Sequence, residues 1–253
     1  MGILITRPNE AGITLTEQLN KVGITALHFP LLTVSGGREL NTLPNKINQL
    51  KAGDYVMAVS KNAVFYANKT LKDVGFHWRK DLHYFTVGKG TAATFSAATE
   101  LPTHYPNRQE NSEGLLALEK MQSEHVENKT VLILRGNGGR ELYQQEMQQR
   151  GAKIEIIECY QRLAVIYENN SEQVSLLQRS GINNILITNA ESLTYLMDFV
   201  PESEHNWLKN CQLITISQRI ADMAKMFGWQ KIVISPKADN SSLVQTILAN
   251  QPI

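Results

Sequence analysis

Cysteine is nearly missing from this 253-residue chain: Cys159 and Cys211 stand 52 residues apart, with no CxxC spacing and no adjacent histidine. That scarcity argues against a disulfide framework or a zinc site, and it points to a reducing, cytoplasmic setting. Long apolar runs are missing too: none approaches the roughly 18–20 residues of a membrane span. The opening MGILITRP lacks the charged-then-apolar layout of a signal peptide. It matches a myristoylation pattern at Gly2 and Thr6, a coincidence if Ile3–Thr6 is a buried first strand. Nor is there an excess of one charge, with 25 basic residues against 24 acidic. A nucleic-acid or membrane-surface binder would carry a basic surplus, so neither partner is expected. Near-neutrality without an exposed apolar repeat suggests a monomer.

The familiar signatures of catalysis are also absent. There is no G-x-S-x-G, no HExxH and no EF-hand loop. In LILRGNGGREL, Gly136 and Gly138 begin a dinucleotide fingerprint, but Glu141 stands where the last glycine belongs. In VGKGTAAT, Lys89 is followed by Gly90, and His83 occupies the first glycine position of a Walker loop. His28, His77, His83, His104, His125 and His205 show no ligand spacing. Glu141 and Glu146 read as a solvated helix face. Neither cofactor nor metal is expected.

What the chain does contain is a copy of itself. At a shift of 128 positions, Arg7 falls on Arg135, Gly23 on Gly151, and Leu15 and Leu19 on Tyr143 and Met147. At a shift of 129, YVMAVSKNAVFY meets NILITNAESLTY, with Ser60 over Asn189, and YFTVGKGTAATF meets LITISQRIADMA, with Gly88 over Ser217. Asn111-Ser112 then meets Asn240-Ser241, each pair after a proline, Pro106 or Pro236. Four segments in one order indicate duplication of a domain-sized unit. Within each copy, short Val/Ile/Leu strands alternate with helices, the βα pattern of a parallel sheet covered on both faces. Two similar α/β domains with a cleft between them are expected.

Each copy repeats one junction: a strand ends, small polar residues follow, and a helix begins. It occurs at Arg7-Pro8, Ser60-Lys61-Asn62, Gly88 to Thr91, Arg135 to Arg140, Thr188-Asn189 and Ser217-Gln218-Arg219. Helix starts accept anions through backbone N–H groups, and parallel sheets gather such starts at their carboxyl edge. Each contact contributes only about 0.3–1 kcal/mol, so a ligand with many carboxylates suits them best. The plainer alternative is that Ser60, Thr91 and Ser217 only cap helices. A tyrosine remains as a candidate acid. Strand alternation in IEIIECYQR places Ile154, Ile156, Glu158 and Tyr160 on one face, where packing is the commoner role for tyrosine.

Taken in order, these motifs resemble the uroporphyrinogen-III synthase family. The likeness runs through ILITRP, Pro30-Leu31-Leu32, AVSKNAV, VGKGTAAT, LRGNGGREL, RGAKIEIIECYQR, TNAESLTYL, ISQRIADMAKMFG and ADNSSLVQTI. It implies two flavodoxin-like parallel-sheet α/β domains joined by a two-stranded β-ladder, with a cleft between them. One domain would combine residues 1–33 and 167–253, and the other would span 36–159. The linking strands would lie near 29–34 and 160–166.

The resemblance further implies a cytoplasmic cyclising lyase of haem biosynthesis, acting without cofactor or metal. Its substrate would be hydroxymethylbilane, a linear tetrapyrrole with eight carboxylates, handed over by the preceding deaminase. Tyr160 would be the candidate general acid. Arg7, Ser60, Lys61, Thr91, Arg135, Asn189, Ser217, Gln218 and Arg219 would bind substrate. Thr188-Asn189-Ala190 replaces a serine-rich turn of many members, and Ser217-Gln218-Arg219 replaces a glycine- or threonine-containing loop. The alternative within the same fold is an inactive two-domain anion- or tetrapyrrole-binding module. A sugar-phosphate isomerase would need a clear Glu or His base, which the sequence does not supply.

Overall fold

The computed structural model describes residues 2–138 and 141–250. In chain order the elements are β1 (Gly2–Ile5), α1 (Asn9–Lys21), β2 (Thr25–His28), β3 (Leu32–Gly36), α2 (Leu43–Gln49), β4 (Tyr55–Ala58), α3 (Lys61–Asp73), β5 (His83–Thr86) and α4 (Lys89–Thr99). Then come α5 (Ser112–Leu116), α6 (Ser123–Val126), β6 (Thr130–Gly136), α7 (Leu142–Gln149), β7 (Lys153–Ala164), α8 (Asn170–Arg179) and β8 (Ile182–Ile187). The last are α9 (Ala190–Phe199), α10 (His205–Asn210), β9 (Gln212–Thr215), α11 (Gln218–Met226), β10 (Ile232–Ile234) and α12 (Asn240–Ala249). Two compact units result: Met1–Val34 with Leu163–Ile253, and Ser35–Arg162.

The sheet of the first unit runs β10-β9-β8-β1-β2, with every pairing parallel. Numbered along that unit alone, the order is 2-1-3-4-5, the flavodoxin-like winding. Covering of both faces explains why its central strands are largely apolar. Ile3 and Ile5 pack with Leu15 and Leu19 of α1 and Leu243 and Ile247 of α12. Leu4, between them, joins Ile185, Ile187, Leu193, Leu196 and Ile220 on the other face. Central strands covered on both sides leave few solvated positions, whereas the edge strand β2 keeps Thr25 and Leu27 exposed.

The second unit's sheet runs β3-β7-β6-β4-β5. Beyond β5, His104 forms a single parallel bridge to Phe85, donating its N–H to Tyr84 O and accepting from Thr86 N–H, both at 2.9 Å. This bridge takes the place that β10 holds beside β9. The 128-residue repeat is thus physical: β6-α7-β7 corresponds to β1-α1-β2, and β4 and β5 correspond to β8 and β9. At the last repeated motif the copies differ by one position. Asn111 caps α5, whereas Asp239 rather than Asn240 caps α12.

The strand alternation expected for Tyr160 is overturned. On β6, Leu132 pairs with Glu155, Leu134 with Ile157, and Gly136 with Tyr160, with a register shift between Arg135 and Gly136. One extra residue in β7 moves everything after it to the opposite side. Tyr160 therefore shares a face with Glu155 and Ile157, not with Ile154 and Ile156, and the consecutive Cys159 and Tyr160 are both buried.

Gly37 ties the end of β3 to this distorted stretch. Its N–H donates to Cys159 O at 2.9 Å, and a Cβ there would lie 1.9 Å from Glu158 O. Backbone cannot yield as a side-chain tip can. Gly37→Ala is expected to cost about 1–3 kcal/mol by overpacking, read as a lower thermal midpoint; an unchanged midpoint would show that β3 relaxes freely. A second expectation concerns pH. Burial, with Lys120 and Lys129 nearby, lowers the pKa of His83, and burial with Lys120 lowers that of His104. The folded state thus binds fewer protons than the unfolded one, so stability is full above the ordinary histidine pKa of about 6.5 and falls as pH drops through it. The midpoint should decline from about pH 7.5 to about 5.5, and less so in His104→Gln. Equal declines in both proteins would clear His104 of the effect.

Candidate functional site

Open α/β sheets bind ligands at the carboxyl ends of strands where the winding order reverses. In the second unit that point lies between β6 and β4. The register shift there delivers Tyr160 opposite Gly136, where a Cβ would stand 2.6 Å from Cε2 and Cζ of the ring. Glycine is required by space alone. Asn137 fixes the same segment: its N–H donates to Tyr160 O at 3.0 Å, while its side chain accepts from Arg162 N–H at 2.7 Å and donates to Arg162 O at 3.0 Å. Tyr160 is 6% exposed, and its hydroxyl lies 3.1 Å from Ser60 Oγ. Ser60 also caps α3, accepting from Ala63 N–H at 3.2 Å. Two expected site residues from positions 100 apart thus meet.

The neighbouring helix start is different. No side chain of Gly88 can cap α4, and the carboxylate of Glu110 does so instead, accepting from Lys89 N–H at 2.9 Å. Gly88 leaves room, since a Cβ there would fall 2.2 Å from Glu110 Oε2. Lys61 leans toward the same start, its Nζ 3.7 Å from where a Gly90 Cβ would sit. Thr91 lies in this first turn but is not its cap.

Arg135 serves the opposite face. With Met57, Val59, Val87, Ile133, Tyr143 and Glu110 it lines a cavity of about 320 Å³. Its guanidinium Nε makes a long contact of 3.4 Å to Gly136 O. The sheet separates Arg135 from the Tyr160–Ser60 pair. Gly139 and Arg140, the rest of the glycine loop, lie outside the described residues.

The carboxyl edge of the first unit carries the other expected residues. Arg7, after β1, donates to Asn240 Oδ1 at 2.6 Å; burial lowers its pKa and Asp239 partly restores it. Asn189 caps α9 by accepting from Ser192 N–H at 2.7 Å. Ser217 caps α11, accepting from Ile220 N–H at 3.4 Å, Gln218 turns along the helix to Asp222 at 2.7 Å, and Arg219 is exposed beside it. The capping roles of Ser60 and Ser217 are real, and Thr91 has none.

Glu110 was not expected as a site residue, and Gly136 and Asn137 were expected only as part of the Arg135 to Arg140 junction. Glu110 stands next to the helix start at Asn111-Ser112, but nothing in that pattern says that its carboxylate reaches α4. Burial pushes the Cys159 thiol up to about 12 and Cys211 up to about 11, so neither offers a thiolate. Among the described residues no three His, Cys, Asp or Glu side chains are grouped to hold a metal, and no helix is long and apolar enough to cross a membrane.

The family model described as "Uroporphyrinogen-III synthase HemD" matches residues 13–245. The uroporphyrinogen-III synthase of Salmonella typhimurium is 38% identical over 249 residues, covering 98% of this chain and all of that protein. Its Escherichia coli counterpart is 36% identical over the same span. That of Proteus mirabilis is 48% identical over 167 residues, covering 66% of this chain and 83% of its own. In fold, a mutant uroporphyrinogen III synthase of Thermus thermophilus superposes with a TM-score of 0.66 at 14% identity, covering 99% of this chain and 100% of that one. The Helicobacter pylori enzyme gives 0.62 at 14%, covering 99% of each chain. The chain belongs to the uroporphyrinogen-III synthase family.

Proposed function

We infer that this chain closes hydroxymethylbilane into uroporphyrinogen III, inverting the last pyrrole ring and releasing water. The observation that carries this is the family match across residues 13–245, joined to relatives 36–38% identical from end to end. Atoms balance simply. The terminal hydroxyl leaves with one added proton, and the substituted carbon of the last ring attacks to form a spirocycle. That carbon's original methylene bond then breaks and re-forms at the ring's free carbon, where one proton is lost as the pyrrole regains aromaticity. The same substrate closes unaided without inversion. The enzyme must therefore select a geometry, and a hundredfold preference needs about 2.7 kcal/mol of differential stabilisation.

Tyr160 is the proton donor in this reading. Its hydroxyl is the acid of the candidate set placed at the winding reversal, paired with Ser60 at 3.1 Å. The substrate's eight carboxylates are received at helix starts and by cations. In the second unit these are Ser60, Lys61, Thr91 and Arg135; in the first they are Arg7, Asn189, Ser217, Gln218 and Arg219. Glu110 holds the α4 start until a substrate carboxylate replaces it. The protein acts as a monomer and receives its substrate from the deaminase that makes it.

Freshly generated hydroxymethylbilane, with oxidised products resolved by isomer, tests the activity. Type III should dominate; type I alone, at the spontaneous rate, would leave only a binding module. Tyr160→Phe should lower kcat by about 10²-fold or more, within the usual range for general acid catalysis, while the protein stays folded. Full turnover in a folded Tyr160→Phe protein would remove Tyr160 from the chemistry. Glu110→Gln keeps the shape and removes the competing charge. It should lower KM about two- to fivefold, matching the 0.3–1 kcal/mol of a charge at a helix end. A raised KM would mean that Glu110 serves the substrate rather than yielding to it.

A further inference from the structure

We propose that Ser60 is a positioning residue that turns the Tyr160 proton outward and then holds the phenolate left behind. This rests on Tyr160 as the proton donor. Two hydroxyls 3.1 Å apart share one hydrogen between them, and the direction of that bond decides whether Tyr160 can act as an acid. If Tyr160 donated to Ser60, its proton would be spent inside the protein. The surroundings of Ser60 oppose this. Its oxygen already accepts Ala63 N–H at 3.2 Å and stands at the positive end of α3, a helix of 13 residues. Accepting one hydrogen bond polarises a hydroxyl into a better donor, and the helix end disfavours further positive charge on that oxygen. Ser60 therefore donates, Tyr160 accepts, and the phenol's own hydrogen points elsewhere.

The backbone enforces this arrangement from the other side. The register shift sets Tyr160 opposite Gly136, whose missing Cβ leaves the ring its space, and Asn137 N–H holds Tyr160 O at 3.0 Å. In the reaction the Tyr160 O–H bond breaks and its proton joins the departing hydroxyl. The carbon–oxygen bond breaks with both electrons on oxygen, so water leaves and a cation delocalised over the pyrrole remains. The phenolate now accepts a charge-assisted hydrogen bond from Ser60. It regains a proton when the free carbon of the inverted ring, having formed the last bond, loses its hydrogen.

Ser60→Gly separates this role from capping, because glycine starts a helix at a cost of only a few tenths of a kcal/mol relative to serine. The expected result is a kcat about tenfold lower, the worth of one hydrogen bond, with KM within about twofold of wild type. Ser60→Thr, which retains the hydroxyl, should restore at least about half the turnover. Ser60→Asp, which caps α3 but has no proton to give, should be as slow as Ser60→Gly. In a Tyr160→Phe background Ser60→Gly should add nothing, because groups acting as one unit are not additive. Full turnover in Ser60→Gly, or effects that multiply in the double variant, would overturn the proposal while leaving Tyr160 in place. A Tyr160→Phe protein with full turnover would instead overturn the reading beneath it.

Discussion

A strand that gains one residue on its neighbour reverses the face of everything beyond the gain. In β7 that gain falls opposite the step from Arg135 to Gly136, and the site depends on it. Without it, Tyr160 would follow Ile154 and Ile156 toward the core around Met57 and Tyr143, on the wrong side of the sheet from Ser60. With it, the phenol reaches the start of α3. The cost of the irregularity is covered by local bonds: Gly37 N–H on Cys159 O, Asn137 N–H on Tyr160 O, and the Asn137 amide closed on both backbone groups of Arg162. Gly37 and Gly136 are small because atoms of β7 occupy the space a side chain would need.

Capping and anion binding look like rival uses of a helix start, but the count of donors lets them coexist. An α-helix begins with four N–H groups that have no partner within it, and a cap side chain satisfies one. Ser60, Asn189 and Ser217 each serve the third residue of their helix, namely Ala63, Ser192 and Ile220. Each cap uses one of those donors and leaves the others. At α4 the cap comes instead from a side chain 21 positions away, with a full negative charge. Such a cap can depart and be replaced by another carboxylate, which Ser60 or Ser217 cannot do.

The fold was largely legible because it is written in short-range patterns. The runs YVMAVS and NILIT are nearly uninterrupted in apolar residues because both sheet faces are covered, and the shift of 128 to 129 residues reproduces strand-for-strand correspondences in the two sheets. The site was legible only in its parts. Ser60, Asn189 and Ser217 announce themselves as residues before helices. The bulge does not, because the residues around Tyr160 keep a regular strand composition and only the pairing with Gly136 breaks the alternation. Glu110 over Gly88, or Arg7 on Asn240, joins segments 22 and 233 positions apart, and a linear pattern holds no record of such meetings. Copying one repeat onto the other also misled by one residue at α12, where Asp239 takes the cap and releases Asn240 to Arg7.

The energies explain why so few side chains need to be fixed. A preference of about 2.7 kcal/mol for the inverted ring can be assembled from contacts of about 0.3–1 kcal/mol each. Between three and nine of them suffice by that measure when each is made only in the transition state that inverts the ring. When each contact is supplied mainly by backbone N–H groups, the side chains around it can change at little cost, provided the helix still starts there. Asn189 and Ser217 fit that pattern as the caps of α9 and α11. Proton delivery cannot be spread in this way. It needs one acidic hydrogen at one point, so on the proposed role of Tyr160 the geometry that would aim it, from Gly136 through Tyr160 to Ser60, would tolerate less change than the anion contacts. A chain can thus retain 36–38% identity with its relatives across its whole length and keep the chemistry, as long as those few residues hold their register.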